Sequence, residues 1–253
     1  MSISGLLASR TINKWLGVRI VWMASILVLA GCATSPVAMN ASVLKEPDTS
    51  IHIVTGLLPP KGAMFKIGAQ GLLDVAINSA VTSEVTSFLA GKDGSEFERL
   101  VDNVEQQFKL QNIPVTRHDR PLDYAAIPGR KAEKGEFDKD LSAVFAETDA
   151  KYVLFLRPAG YGAVRSYYGF IPISDPAGVV LLDGAIVDRN SKLHWFMRES
   201  ATLDPRFTKS VAGEWDQPPA YPSLDQSLSE SWQLAEDGVL TDIFGFTALS
   251  AAN

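Results

Sequence analysis

The chain has 253 residues, 46% hydrophobic and 21% charged, a balance that excludes a disordered polymer and leaves ample apolar side chain for a packed core. Its 29 acidic residues outnumber 23 basic ones for a formal net charge of −6, and the sequence gathers no dense Lys/Arg surface, which argues against nucleic acid as a partner. Cys32 is the single cysteine, so no internal disulfide can form.

The amino terminus carries Arg10, Lys14 and Arg19 and no acid, followed by the uncharged run Ile20 to Ala30. These are the proportions of an export signal, and the apolar run is shorter than the roughly 20 residues a membrane-crossing helix needs. Two bland readings are a plain signal peptide with an incidental cysteine, and a signal retained as an anchor. The run ends in Leu29-Ala30-Gly31-Cys32, which resembles the lipobox of bacterial lipoproteins. The resemblance implies cleavage after residue 31 and lipid, palmitate included, on Cys32. Acyl chains contribute about 0.8 kcal/mol per buried CH₂, so such a group holds a protein to a membrane without a second anchor. Ala33 stands where an aspartate retains lipoproteins of this kind at the inner membrane, so the resemblance points to the outer membrane, facing the periplasm. Removing residues 1–31 takes the net charge from −6 to −9, since all the acids lie beyond the leader.

Residues 32–50 are small and polar, broken by Pro36 and Pro47, and read as a flexible tether; 51–253 read as one globular periplasmic domain. Ile51-His52-Ile53-Val54 predicts a first strand, closed by Gly56 and Pro59-Pro60. Leu73, Ile77, Val81, Val85 and Phe88 then recur at helical spacing, predicting a helix over about 71–90 whose stripe packs into a core; no basic face accompanies it, as a lipid-lying helix would require. Ser95 with Glu98 forms a capping-box pattern ahead of Phe97, Leu100, Val101, Val104 and Phe108, the clearest amphipathic helix in the chain. Asn112 and Pro114 end it, a short strand is expected at 114–117, and a loop runs to about Gly135. Phe137, Leu141, Val144 and Phe145 predict another short helix.

Tyr152-Val153-Leu154-Phe155-Leu156 is apolar at every position, the pattern of a central strand covered on both faces. Gly178 to Val187 and Lys192 to Glu199 follow as strands, and Asp188-Arg189-Asn190-Ser191 between them has the chemistry of an antiparallel hairpin turn. Leu193, Trp195 and Met197 are expected on one face. Ser223 with Gln226 is a second capping-box pattern, opening a helix with Leu224, Leu228, Trp232, Ala235 and Val239 as its stripe. The sum is an α/β fold, with α+β as the variant: a mixed sheet with an antiparallel hairpin, packed by about four helices.

Ala150-Lys151-Tyr152-Val153-Leu154-Phe155-Leu156, Val179 to Asp188 and Leu193-His194-Trp195-Phe196 together resemble envelope lipoproteins built on the amino-terminal fold of the Tol-system propeller protein, including the curli-export lipoprotein. There a helix feeds a hydrophobic strand, and a hairpin reads as strand, Asp, short turn, strand, Trp. The likeness covers about fifty residues. The chain departs from it in having no run that matches the membrane-spanning hairpins of the curli pore, so pore formation does not carry over.

For chemistry, His52, His118 and His194 show no zinc-ligand spacing, and neither Gly-x-Ser-x-Gly nor a phosphate-binding glycine loop is present, so no metal, cofactor or catalytic residue is expected. His194 is expected at the surface or a sheet edge, and His118 beside Asp119 is an ordinary pair in a charged loop. Tyr161, Tyr167, Tyr168 and Phe170, set among glycines in a long connection, are the candidate partner-binding residues; the competing reading folds that connection back onto the sheet with its tyrosines covering the core. Trp215, Pro218, Pro219, Tyr221 and Pro222 form a second aromatic connection with the same two readings. The function expected is that of a membrane-tethered protein that binds an envelope protein partner, as scaffold or accessory subunit in envelope assembly, transport or surface maintenance. The alternative is a hydrolase of an envelope polymer, which a concave pocket of converging acids or histidines would favour.

Overall fold

The computed structural model describes residues 35–68, 83–169, 171–201 and 206–245. The leader, Cys32, Phe170 and the first half of the helix predicted over 71–90 lie outside them. The chain divides into Met1–Ser35 and Pro36–Asn253, and all that follows concerns the second unit.

In chain order the elements are β1 (Ile51–Thr55), β2 (Ala63–Ile67), α1 (Ser83–Ala90), α2 (Glu96–Leu110), β3 (Val115–Arg117), α3 (Ser142–Ala146), β4 (Tyr152–Tyr168), β5 (Ile171–Pro172), β6 (Ala177–Asp188), β7 (Leu193–Arg198), β8 (Phe207–Ser210) and α4 (Pro222–Phe244). Eight strands form one open, mixed sheet, with the main order β3-β1-β4-β6-β7; β2 and β5 pair with β4, and β8 pairs with β6. β1 runs parallel to β3 and β4, whereas β4, β6 and β7 are successively antiparallel. The α/β class read from the sequence is the fold observed. Among the described residues no helix is long and apolar enough to cross a membrane.

The apolar run at the start of β4 has the cause expected, because both faces of the sheet are covered. On one face Ile53, Leu154, Leu182, Ile186 and Trp195 meet the stripes of α2 and α4. On the other, Val54, Val153, Phe155, Ala185 and Phe196 meet Val144 and Phe145 of α3 and Phe137 and Leu141 from the segment that leads into it. Burying apolar area on both sides, at roughly 25 cal/mol per Å², is what drives a strand with no polar face to the middle of a sheet.

Several local expectations are corrected. Neither capping box forms: the Ser95 side chain makes no cap bond and its N–H instead donates to Asp93 Oδ1 at 3.0 Å, while α4 starts at Pro222 after a left-handed Tyr221. Leu193 does not share a face with Trp195 and Met197. Ile186 lies opposite Trp195 and Val187 opposite Leu193, so His194 is the extra residue of a bulge, and Leu193 turns to the other face. From Pro36 onward the expected tether is packed. Val37 and Phe196 exchange backbone hydrogen bonds of 3.0 and 2.9 Å, Asn40 N–H donates to His194 O at 2.8 Å, and Val43 is fully buried. The segment lacks a period because single side chains, not a stripe, fix it along the outer edge of β7, whose backbone would otherwise be unpaired.

The largest correction concerns the connection after Leu156. It is strand through Tyr168, 17 residues in all, with its register shifted once between Pro158 and Gly160. Gly162, read as a loop glycine, has φ +141°, and a Cβ there would stand 2.1 Å from the carbonyl oxygen of Ala63. Glycine is required because β2 approaches the β4 backbone at this point.

Candidate functional site

Two places have the makings of a site. The first is the outer end of the β4–β6 hairpin. Tyr167 pairs with Pro172 and Tyr168 with Ile171, Ile173 N–H donates to Ser166 O at 3.0 Å, and Arg165 Nε donates to Ser174 O at 2.8 Å, so the end of the hairpin is tied by its own hydrogen bonds. At this end Tyr168, Ile171 and Ile173 are 76%, 52% and 65% exposed. No other stretch of the described residues brings three large exposed hydrophobic side chains so close in sequence; Leu57, Leu110 and Leu234 are scattered. Scattered apolar surface is ordinary, but a cluster on an exposed, hydrogen-bonded hairpin end is what a contact surface looks like before it is covered.

The four residues named from the sequence therefore separate. Tyr168 is on the tip. Tyr161 is 1% exposed, its ring against Trp232 and its hydroxyl donating to Lys92 O at 2.8 Å, and Tyr167 is 4% exposed between Lys66 and Arg165. Those two cover the core, as the competing reading had it, and are corrected as contact residues. The cause is strand alternation, which points Tyr167 and Tyr168 to opposite sides. Phe170 lies outside the described residues, and Ile171 and Ile173 are aliphatic side chains outside the glycine-aromatic pattern that marks this connection in the sequence. The second aromatic connection is divided: Tyr221 is buried against Phe88 and Trp215 lies under Arg165, while Pro218 and Pro219 are exposed.

The second place is a cavity of about 520 Å³ at the β1–β3 edge of the sheet, lined among others by His52, Thr116, His118, Asp119 and Glu147. His52 lies directly opposite Thr116 in the parallel register, and His118 follows β3, its N–H donating to Ile53 O at 2.8 Å. His52 Nδ1 is 2.8 Å from Thr116 Oγ1, and His52 Nε2 is 3.3 Å from His118 Nδ1, with the two rings edge to face at 89°. Glu147 Oε2 stands 3.7 Å from His118 Nδ1. Burial, and then the neighbouring His118, push the His52 pKa below its ordinary value of 6.5, against a weaker pull from Glu147 and Asp119. Burial thus disfavours the charged form of His52, and the contact between the rings needs a proton on one nitrogen and a lone pair on the other. No short-range signal announces this group, since 66 residues separate the two histidines and only the β1–β3 register brings them together.

His194 lies on the edge strand β7, one of the two places expected for it, but is buried there, because the segment from Pro36 to Lys45 runs along β7. Its Nε2 lies 3.2 Å from Asp188, its ring stands edge-on to Tyr152, and its Nδ1 has no hydrogen-bond partner. A second polar cluster centres on Asp183, whose carboxylate is fully engaged while Arg157 Nε has no hydrogen-bond partner among the described residues. Asp183 accepts from Arg157, from Ser200 N–H at 3.0 Å and from Ser200 Oγ at 2.8 Å, while the Arg157 guanidinium lies 3.9 Å over the Tyr124 ring. Such a network ties neighbouring strands together.

No protein-family profile matches the sequence, and no curated protein matches it. Among solved structures it is similar to the lipoprotein GNA1162 from Neisseria meningitidis, with 17% identity over 74% of this chain and 98% of that one and a TM-score of 0.23.

Proposed function

We propose that this is a lipid-anchored protein of the bacterial envelope, held at the outer membrane through Cys32, that acts by binding a protein partner with the tip of its β4–β6 hairpin. The basic leader, the short apolar run and Leu29-Ala30-Gly31-Cys32 support the anchor. The observation that carries the binding role is the exposed trio Tyr168, Ile171 and Ile173 on a hairpin tied by its own hydrogen bonds. A tip held in shape before contact loses little conformational entropy on docking, and an aromatic side chain beside two branched aliphatic ones supplies apolar area without long flexible chains to order. Arg165 and Lys66, which precede the tip on β4 and β2, lie against Trp215 and Tyr167.

Radiolabelled palmitate tests the anchor: it labels the normal chain and leaves a Cys32→Ala variant unlabelled. A photoreactive amino acid placed at Tyr168 in intact cells tests the tip. It captures a defined protein that the same group at Leu110, an exposed leucine on α2, does not capture. Capture from both positions alike would remove the binding assignment. The second reading, a hydrolase of an envelope polymer, draws on the cavity at the sheet edge, where a hydroxyl, two imidazoles and a carboxylate converge. Binding is preferred because both His52 nitrogens are engaged in joining β1 to β3.

A further inference from the structure

One atom in the cavity at the β1–β3 edge faces two groups that make opposite demands on it. His118 Nδ1 lies 3.3 Å from His52 Nε2 and 3.7 Å from Glu147 Oε2. The hydrogen bond between the rings holds while one proton lies between the two facing nitrogens, one donating and the other offering its lone pair. A second proton sets N–H against N–H and charge against charge, and the bond becomes a repulsion. A protonated Nδ1 then has another partner beside it, since the Glu147 carboxylate needs to close only about 1 Å to accept a charge-assisted hydrogen bond. The Glu147 side chain is 66% exposed, and the His118 ring borders a cavity of about 520 Å³, so both have room to move. His52 does not: it is buried, and its other nitrogen is held by Thr116 Oγ1 at 2.8 Å. The surrounding charge favours the second proton. Among the described residues the cavity walls carry three acids, Asp119, Glu147 and Asp149, against one permanent cation, Arg117, which Glu98 and Asp102 of α2 already hold at 2.8 Å. Lys151, next along the chain, is held by Glu46 and Asp48, and Arg120, beyond Asp119, is exposed.

We propose that His118 is a proton-driven latch between two partners: with one proton on the imidazole pair it ties β3 to β1 through His52, and with two it turns to Glu147 and ties β3 to the residue that follows α3. One proton is taken up, and His52 keeps its bond to Thr116 in both states. The backbone pairing of the edge, including His118 N–H on Ile53 O at 2.8 Å, stays as it is, so a side chain moves within a standing fold. As the surroundings turn acid, the cavity wall changes from a neutral imidazole pair to an ion pair. The latch is independent of the lipid anchor and of what the hairpin tip binds.

Crystals of the purified chain equilibrated at pH 8 and at pH 5 test the latch directly. His118 Nδ1 is expected within hydrogen-bond distance of His52 Nε2 at pH 8 and of the Glu147 carboxylate at pH 5. In solution, imidazole nitrogen resonances of the same chain in detergent, followed over that pH range, give a second readout: those of His52 and His118 move together in one coupled transition. Glu147→Gln, a change at an exposed side chain, lowers the proton affinity of that transition about threefold, the effect of a part-exposed ion pair. Asp175→Asn, at an exposed acid of the hairpin, leaves it unaltered. His118 in one position at both pH values, the two histidines titrating independently, or a transition unmoved by Glu147→Gln would each overturn the proposal.

Discussion

At His52 burial and a second imidazole act in one direction, and the sign of their effect on stability follows. The folded-state pKa lies below 6.5, the ordinary value that the unfolded chain keeps. Above 6.5 both states are neutral; as the pH falls through 6.5 the unfolded chain takes up its proton first, so stability is full above that value and declines toward the folded pKa. Glu147 and Asp119 temper this from the cavity side without reversing it. Urea midpoints should therefore fall between pH 7.5 and 5.5, and by less in His52→Gln, whose amide can still reach Thr116; equal falls would show that another group governs the acid limb. Asp183 poses a different question at the same scale. It is buried and accepts from Arg157 and twice from Ser200. Asp183→Ala strands the guanidinium in a low-dielectric site and is expected to cost about 3–5 kcal/mol in urea unfolding, whereas replacing Arg157 and Asp183 together by apolar residues should cost less, because no charge is left unpaired. Neither arrangement was legible as a site in the sequence, since each depends on residues 17 to 66 apart that meet only in the folded sheet.

The packing of α4 on β6 shows how one element fixes another. Gly178 N–H donates to Ser227 Oγ at 2.7 Å, and a Cβ at Gly178 would stand 2.4 Å from the backbone carbonyl of Ser227. Helix and strand approach here so closely that Gly178→Ala must push them apart, with an expected loss of about 2–3 kcal/mol; a variant as stable as the parent would mean the helix can slide. Trp232, one turn further along α4 and packed on Phe97 and Tyr161, is the larger loss on truncation, about 3–5 kcal/mol for Trp232→Ala in the same assay. Stripes such as those of α2 and α4 were readable because their periodicity is itself the consequence of facing one core. The length of β4 was not. Gly160 and Gly162 carry turn chemistry, yet their small size answers to Phe65 and to the backbone of Ala63 in β2, a strand nearly a hundred residues away in sequence. In the same way the bulge at His194 inverts the face of Leu193, which no alternation rule foresees.

For the molecule as a whole, the packed segment before β1 changes what the proposed anchor does. Only five peptide steps separate Cys32 from Val37, which is already paired with Phe196, and an extended chain of that length spans at most about 18 Å. If Cys32 carries lipid as proposed, the leash between lipid and folded body is no longer than that. Phe196 lies opposite Ala185, and Ala185 opposite Phe155, 13 residues before Tyr168 along β4; at about 3.3 Å per residue the exposed tip stands roughly 40 Å along the sheet from the point where the tether joins. A short leash and a long lever fit a contact made at a set distance from the lipid attachment. Inserting about 20 Gly/Ser residues between Ala33 and Thr34 is then expected to leave palmitate labelling and the urea midpoint unchanged while lowering photocapture from position 168 about tenfold, because effective concentration falls roughly as the −3/2 power of tether length. That fall arises only if the partner is itself fixed in the envelope; undiminished capture at equal protein level would place the partner free in the periplasm, where the length of the leash has nothing to act on.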